Sequence, residues 1–278
     1  MSEYRYSAVL VPTGLCRPST LMVILVHSAA TNQDRREAIR ITWGEAVLKG
    51  TWPNTVQQDG SPLSRLHIAF VLGMHHDETV NHAVRQEHAK NNDIVQGDFI
   101  DNYQNMTLKS LLDLKVVHDR CPGVQYLLKS DDDMVINFPY LLDILTARPL
   151  TRSFMGPYNP HSRVNREGVW KLTPDEFPFT YYPPYESGSA YVITGDLIHE
   201  LFVTAEYVPH IFVDDVYVTG ILGRILGVTH VRQPGFAYWG SKKPTACDLV
   251  TKKIVTGTKM HPQRLCGLWN ELQLNPKC

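Results

Sequence analysis

The stretch YLLKSDDDMVIN, residues 126–137, decides how the rest of the chain is read. A short apolar run carries three adjacent acids, Asp131, Asp132 and Asp133, to the end of a predicted buried strand, and a second apolar run follows at once. Neighbouring carboxylates repel and are costly to pack unless something positive sits among them. One reading is a solvated turn between two strands. The other is a hard divalent cation, held by one or two carboxylates while substrate phosphates complete its shell. Because the flanks force the triplet to leave and re-enter the core within three residues, the two readings stand level on local grounds. The surrounding chain has to separate them.

Upstream, residues 21–26 (LMVILV) are continuous and apolar, as in a central parallel strand. Thr31 and Asp34 then stand at capping-box spacing, and RREAIRITWG continues with helical period. A strand followed at once by a capped helix presents backbone N–H groups to a nucleotide phosphate. Arg35, Arg36 and Arg40 on that helix read either as an exposed basic face or as anion ligands. Residues 44–65 read as a loop, 67–73 (HIAFVLG) as a second strand, and 77–90 as a helix with Val80, Ala83 and Val84 inward. His75, His76, His82 and His88 are expected on the solvated surface and not around a metal. Residues 93–101 (DIVQGDFID) form another strand, and 105–118 a helix with Leu108, Leu111, Leu112 and Val116 on one face. Lys109 in its first turns reaches a phosphate or meets solvent. After the acid triplet, Asn137 and Pro139 open a further helix. This alternation predicts an α/β fold: a mainly parallel central sheet with helices on both faces, and ligands beyond the carboxyl ends of its strands.

Downstream the texture changes. Residues 151–187 hold several prolines and many aromatics, among them Trp170, Tyr181, Tyr182 and Tyr185. Such a segment suits either a surface that stacks sugar rings or a covering loop packed on the core. Gly188 marks a close approach before the strand AYVI, and a helix spans about 196–205. HIFVDDVYVTGILGRILGV, residues 210–228, brings Asp214 and Asp215 to the start of a helix with Val218, Ile221, Leu222 and Ile225 inward. Taken alone, those two acids are helix caps. Gly220, Gly223 and Gly227 are read as lying inside the helix, so they form no phosphate loop.

Composition narrows the partners. The 278 residues carry 27 basic and 28 acidic side chains, for a formal net charge of −1, so no global field draws the protein to nucleic acid or an anionic membrane. The longest apolar run, residues 21–26, is too short to span a bilayer, and no signal peptide is recognisable. Any anchor or leader is expected outside this chain. Cys16, Cys121, Cys247, Cys266 and Cys278 contain no CxxC pair, which argues against a zinc site and allows two disulfides with one free thiol. An Asn-x-Thr acceptor at Asn105 fits a glycosylating, oxidising compartment. Residues 1–20 are expected to be an N-terminal arm, and 21–278 a single domain with halves at 21–149 and 150–278.

Five blocks in this order, RREAIRITWG, DFIDNYQNMTLKSLLDLK, YLLKSDDDMVIN, YPPYESGSAYVITGD and VDDVYVTGILGRILGV, resemble the β-1,3-glycosyltransferases that attach galactose or N-acetylglucosamine. The likeness covers about residues 21–240, with a weaker match through KKIVT and LWNELQ. It implies a GT-A type fold, a donor half and an acceptor half, and inverting transfer from UDP-Gal or UDP-GlcNAc to the 3-hydroxyl of a glycan on a glycoprotein or glycolipid. It implies Mn²⁺ or Mg²⁺ as cofactor, with Asp133 the direct ligand and Asp131 and Asp132 on metal-bound water or the ribose; Asp131 is also a candidate ligand. Arg36 and Arg40 would lie on the uridine and phosphate side, with Lys109 a further candidate there. Asp215 matches the catalytic base. Asp214 beside it would raise the base's proton affinity, and the helix dipole would lower it. The implied compartment is the Golgi lumen. Alternatives are an inactive sugar- or nucleotide-binding relative and a metal-dependent phosphohydrolase.

The chain departs from the family pattern at several places. The histidine often found eleven residues before the C-terminal tryptophan is Thr258 here, with His261 three residues later. The block that often reads GFNHW reads GFAYW, placing Tyr238 where a histidine is usual. Glu186 and Ser189 replace residues that are usually small or glycine.

Overall fold

The computed structural model describes residues 6–55, 60–238 and 240–278. Its strands are β1 (Ala8–Leu10), β2 (Met22–His27), β3 (Leu66–Met74), β4 (Ile94–Ile100), β5 (Tyr126–Asp131), β6 (Val135–Ile136), β7 (Ser153–Gly156), β8 (Tyr158–Asn159), β9 (Tyr185–Glu186), β10 (Ala190–Thr194), β11 (Thr229–Arg232) and β12 (Thr256–Gly257). Its α-helices are α1 (Gln33–Arg40), α2 (Trp43–Lys49), α3 (Glu78–Asn91), α4 (Met106–Arg120), α5 (Phe138–Ala147), α6 (Ile198–Ala205), α7 (Gly223–Ile225), α8 (Ala246–Val250) and α9 (Pro262–Gln273).

Eight strands form one sheet in the order β1-β4-β3-β2-β5-β10-β7-β11. The run β4-β3-β2-β5 is parallel, as predicted for an α/β fold. Strand β10 pairs antiparallel with β5 and β7, so residues from both halves of the chain share this sheet. Every residue of β2 is buried. Met22, Ile24 and Val26 pack on one face with α1, α2, α5 and α9, while Val23 and Leu25 face α4 and α6 on the other. Covering each such aliphatic side chain stabilises the fold by about 1.5–3 kcal/mol.

Several local expectations change. The described part of the N-terminal arm is not loose: β1 adds antiparallel to the edge of β4, and Cys16 is disulfide-bonded to Cys121 at the end of α4. Residues 1–5 of the arm lie outside the described residues. A second disulfide joins Cys247 to Cys278, leaving Cys266 free. The segment read as a loop from residue 44 instead begins inside α2. Gly44 permits this, since a Cβ there would stand 2.6 Å from the Ile39 carbonyl oxygen where α2 folds back on α1.

The capping box at Thr31 does not form; Asn32 is the N-cap residue, without a capping side-chain bond. On α3, Val84 is buried and Val80 half-buried against the core as expected, but Ala83 is exposed, and Asn81 and Glu87 also turn inward. Residues 216–222 are π-helical and run into α7. The wider i→i+5 ring rotates the later side chains, which leaves Ile225 exposed, and Gly227 stands past the helix at φ 63°. The proline-rich stretch contains β7, too short to show a period, deep in the sheet beside β10 and β11. Among the described residues no helix is long and apolar enough to cross a membrane.

Candidate active site

Strands β2 and β5 run parallel, with His27 opposite Asp131, and the acid triplet emerges at their carboxyl ends. Its three members then diverge. Asp131 accepts a hydrogen bond from the buried Lys129 Nζ at 2.7 Å. Asp132 turns inward, taking Ser28 Oγ at 2.7 Å, Asn32 Nδ2 at 2.9 Å and Arg35 Nη1 at 2.9 Å. Asp133 keeps its carboxylate toward the cleft while its backbone carbonyl accepts from the Met260 amide at 2.9 Å. Pairing of β6 with β12 brings the chain around Thr258 against the triplet.

Two cavities meet at these acids. One, of about 460 Å³, is lined on its far side by His27, Ser28, Asn32, Arg35 and Lys109. The other, of about 360 Å³, is lined on its far side by Tyr182, Tyr185, Gly188, Asp214 and Asp215. Met106, Asp131, Asp133 and Trp170 border both. Trp170 meets Tyr103 edge-on, ring centroids 5.2 Å apart, so an aromatic pair marks the junction. Asp133 and Asp215, 82 positions apart in the chain, thus face one cavity.

Asp215 is held by neutral donors: the Gly188 amide at 2.8 Å to Oδ2 and the Val216 amide at 2.7 Å to Oδ1. Desolvation, reinforced by the adjacent Asp214, pushes its carboxyl up to about 7. The Val216 and Gly188 amides and Lys129 pull the other way and lose. Asp214 is buried and accepts from Ser110 Oγ at 2.7 Å. Desolvation also raises Asp131, to about 6, against the pull of Lys129. Asp133 is raised by desolvation and by Asp132, with Arg35 and His261 opposing.

The structure separates the candidate donor-side residues. Arg36 does not reach either cavity: it is fully buried, forks onto Glu87, and donates to the carbonyls of Ala29 and Ala30. Arg40, one turn on, pairs with Glu87 and Asp93 and lies over Phe70 on the side away from the acids. The physical reason is their i, i+4 spacing, which puts both on the face that also buries Ile39, opposite the inward Glu87 of α3. Their placement corrects the expectation that they flank a nucleotide directly; Arg36 instead props the Ser28–Ala29–Ala30 turn, whose Ser28 and Ala29 line the larger cavity. Lys109 lines the larger cavity, but its ammonium is engaged by Asp101 at 2.7 Å and the Ser28 carbonyl at 2.9 Å. Asp132 borders the same cavity with both oxygens occupied by protein donors.

Lys129 and the His27–Asp113 pair, whose Nε2 and Oδ2 lie 2.6 Å apart, are not singled out by the sequence, and Arg35 is named there only together with Arg36 and Arg40. Helical spacing offered a signal for Arg35, since it points away from the Arg36–Arg40 face. For Lys129 and His27 no local signal exists, because strand residues beside apolar neighbours read as core. The Asn105 acceptor triplet opens α4 with its side chains engaged: Asn105 Nδ2 donates to the Ile100 carbonyl, and the buried Thr107 hydroxyl to that of Ile211. Thr258 lines the smaller cavity, His261 is exposed at the start of α9, and Tyr238 is half-exposed; Trp239 of the GFAYW block lies outside the described residues.

Among the described residues no three His, Cys, Asp or Glu side chains form a metal cage. A Mg²⁺ or Mn²⁺ ion completed by substrate phosphates needs only one or two carboxylates. Asp131 and Asp133 fit that demand, since both border the two cavities where they meet and together supply the two carboxylates.

The fold and cleft define an α/β domain that opens an acidic, aromatic-bordered site at the carboxyl ends of its parallel strands. The chain belongs to the galactosyltransferase family of glycosyltransferases, whose model matches residues 34–234, and its fold is of the GT-A type. It is 32% identical over 271 residues to beta-1,3-galactosyltransferase 5 of Pan paniscus, covering 95% of this chain and 84% of that protein. The Homo sapiens protein of the same name is also 32% identical, with 82% of its length covered. Beta-1,3-galactosyltransferase 2 of Mus musculus is 28% identical over 284 residues; the chain spans 64% of its length. A solved 4-diphosphocytidyl-2C-methyl-D-erythritol synthase from Anaerococcus prevotii aligns over 84% of this chain at 12% identity and a TM-score of 0.41, too distant to carry an argument.

Proposed function

We propose that this protein transfers a hexose, galactose or N-acetylglucosamine, from a UDP-sugar to the 3-hydroxyl of an acceptor glycan on a glycoprotein or glycolipid, forming a β1,3 linkage with inversion. The observation that supports this reading most is the single cavity bordered by both Asp133 and Asp215. The names of the similar proteins favour galactose as the hexose.

In this reading the larger cavity takes the nucleotide diphosphate and the smaller one the acceptor. Asp133 and Asp131 would hold Mn²⁺ or Mg²⁺, which when bound supplies charge neutralisation for the departing diphosphate. Asp132, tied to Ser28, Asn32 and Arg35, fixes the turn after β2 against the triplet. The acceptor hydroxyl attacks the anomeric carbon as the bond to the UDP oxygen breaks on the opposite face, and its proton passes to Asp215. A carboxyl near neutrality suits that task, because a base works best with a pKa close to the working pH. Tyr185, half-buried on the wall of the smaller cavity, offers a flat face to a sugar ring. The two disulfides support an oxidising compartment, and the Golgi lumen is the proposed one.

The test is release of UDP from UDP-Gal or UDP-GlcNAc by purified protein with Mn²⁺, with and without a β-galactoside or N-acetylglucosaminide. Acceptor-stimulated release and a β1,3-linked product are expected. Equal release without acceptor would assign a hydrolase instead, and donor binding with no release an inactive relative.

A further inference from the structure

Lys129 supplies the cationic side chain in the smaller cavity, and it is 2% exposed. A buried ammonium is costly unless its donors are satisfied. Here one donor meets Asp131 Oδ1 at 2.7 Å and another the Gly188 carbonyl at 2.5 Å. The amide of Gly188 in turn donates to Asp215 Oδ2 at 2.8 Å. Gly188 therefore joins two clamps: its N–H belongs to one peptide plane and its C=O to the next, hinged at a Cα with more conformational freedom than any other residue has. The site cannot trade that freedom for a side chain easily, since a Cβ on Gly188 would lie 3.3 Å from Asp215 Oδ2. Beyond the hinge, the Asp131 amide donates to the Ser189 carbonyl at 3.0 Å, and Ser189 Oγ to the Ala237 carbonyl at 2.6 Å. The second plane of the hinge is held by Lys129.

On the transferase reading proposed above, we infer that Lys129 is a positioning residue: its ammonium locks the Gly188 hinge that orients Asp215, and ties this geometry to Asp131 on the donor side. It touches neither reacting atom. Removing the ammonium frees the second plane, lets the Gly188 N–H swing from the carboxylate, and misaligns the base without removing it. Misplacement of a reacting group by about 1 Å lowers turnover by roughly 100-fold.

The experiment compares wild type with Lys129→Met, which keeps the length of the side chain and loses its charge and donors. Two quantities are read: steady-state transfer, and exchange of the Gly188 amide followed by NMR in glycine-labelled protein without donor or metal. The expected result is a kcat lower by roughly 10- to 100-fold, with acceptor KM within about threefold, together with Gly188 exchange at least roughly ten times faster. Unchanged exchange overturns the inference, as does a change confined to donor KM. Should Lys129→Met fail to fold, Lys129→Arg carries the same test, since its planar fork keeps the charge but displaces the donors from the Gly188 carbonyl. Wild-type protein that transfers no sugar overturns the functional reading instead, and the exchange measurement still decides whether Lys129 holds the hinge.

Discussion

The two acidic patches of the cleft are built from the same residue type and neutralised by different chemistry. In the triplet, Asp132 is met by the guanidinium of Arg35 and Asp131 by the ammonium of Lys129. On the other side, Asp214 is met by a hydroxyl and Asp215 by two backbone amides. A neutral donor orients a carboxylate but cancels less of its charge than a cation does. Asp131, with a cation in contact, rises to about 6, whereas Asp215, with neutral donors and an acidic neighbour, rises to about 7. On the proposed reading the triplet holds the cation, and Asp215, met by neutral donors, carries the proton.

The sharpest way to break this comparison is to neutralise each side separately. Asp215→Asn preserves the shape of the base and removes its proton affinity. Turnover is expected to fall by roughly 10²- to 10⁴-fold, while UDP affinity measured by calorimetry stays within about twofold of wild type. Asp133→Ala should do the reverse, weakening metal-dependent UDP binding by roughly tenfold or more. Equal loss of UDP binding in both variants would erase the proposed division of roles.

The pH dependence tests the same division more finely. A base acts in its deprotonated form, so kcat/KM should climb about tenfold per pH unit up to about 7 and then level off. The sign for stability is opposite. Because the folded-state pKa of Asp215 lies above its ordinary 3.8, the folded protein binds this proton more tightly than the unfolded chain. Its contribution to stability is fully present below about 4 and is lost as pH rises through about 7. Melting curves of Asp215→Asn should lack that component, and a matching pH profile in wild type and variant would place the titration elsewhere.

The smallest effect separates neighbouring arginines. Arg35 is partly exposed beside Asp132, so Arg35→Ala should weaken UDP binding by no more than about fivefold, with little change in Tm. Arg36→Met breaks a buried pair with Glu87 and should lower stability by about 3–5 kcal/mol. Denaturant titration together with UDP binding distinguishes the two; a large stability loss in Arg35→Ala would contradict the placement.

Much of this architecture was legible before any coordinates. The apolar runs at residues 21–26 and 126–128 mark strands buried on both faces, and the acids that follow the second run fall where a parallel sheet opens. The failures were local and physical. Gly44 reads as a loop residue, but it is the glycine that lets two helices cross closely. Three arginines in one helix read alike, yet α1 turns two of them to an acid on α3 and leaves the third for the triplet. Lys129 looks like a strand residue with no special task until β10 brings Gly188 to it.

By itself the amino-acid order determined most of the strands and helices up to residue 147 and which acids end them, because period and polarity act over a few residues. Tertiary structure alone decided that Asp133 and Asp215 share a cavity, that Arg36 and Arg40 are committed to Glu87, and that Asp215 rises to about 7. Those outcomes depend on desolvation and on partners tens of residues away, and both exist only once the sheet has closed around them.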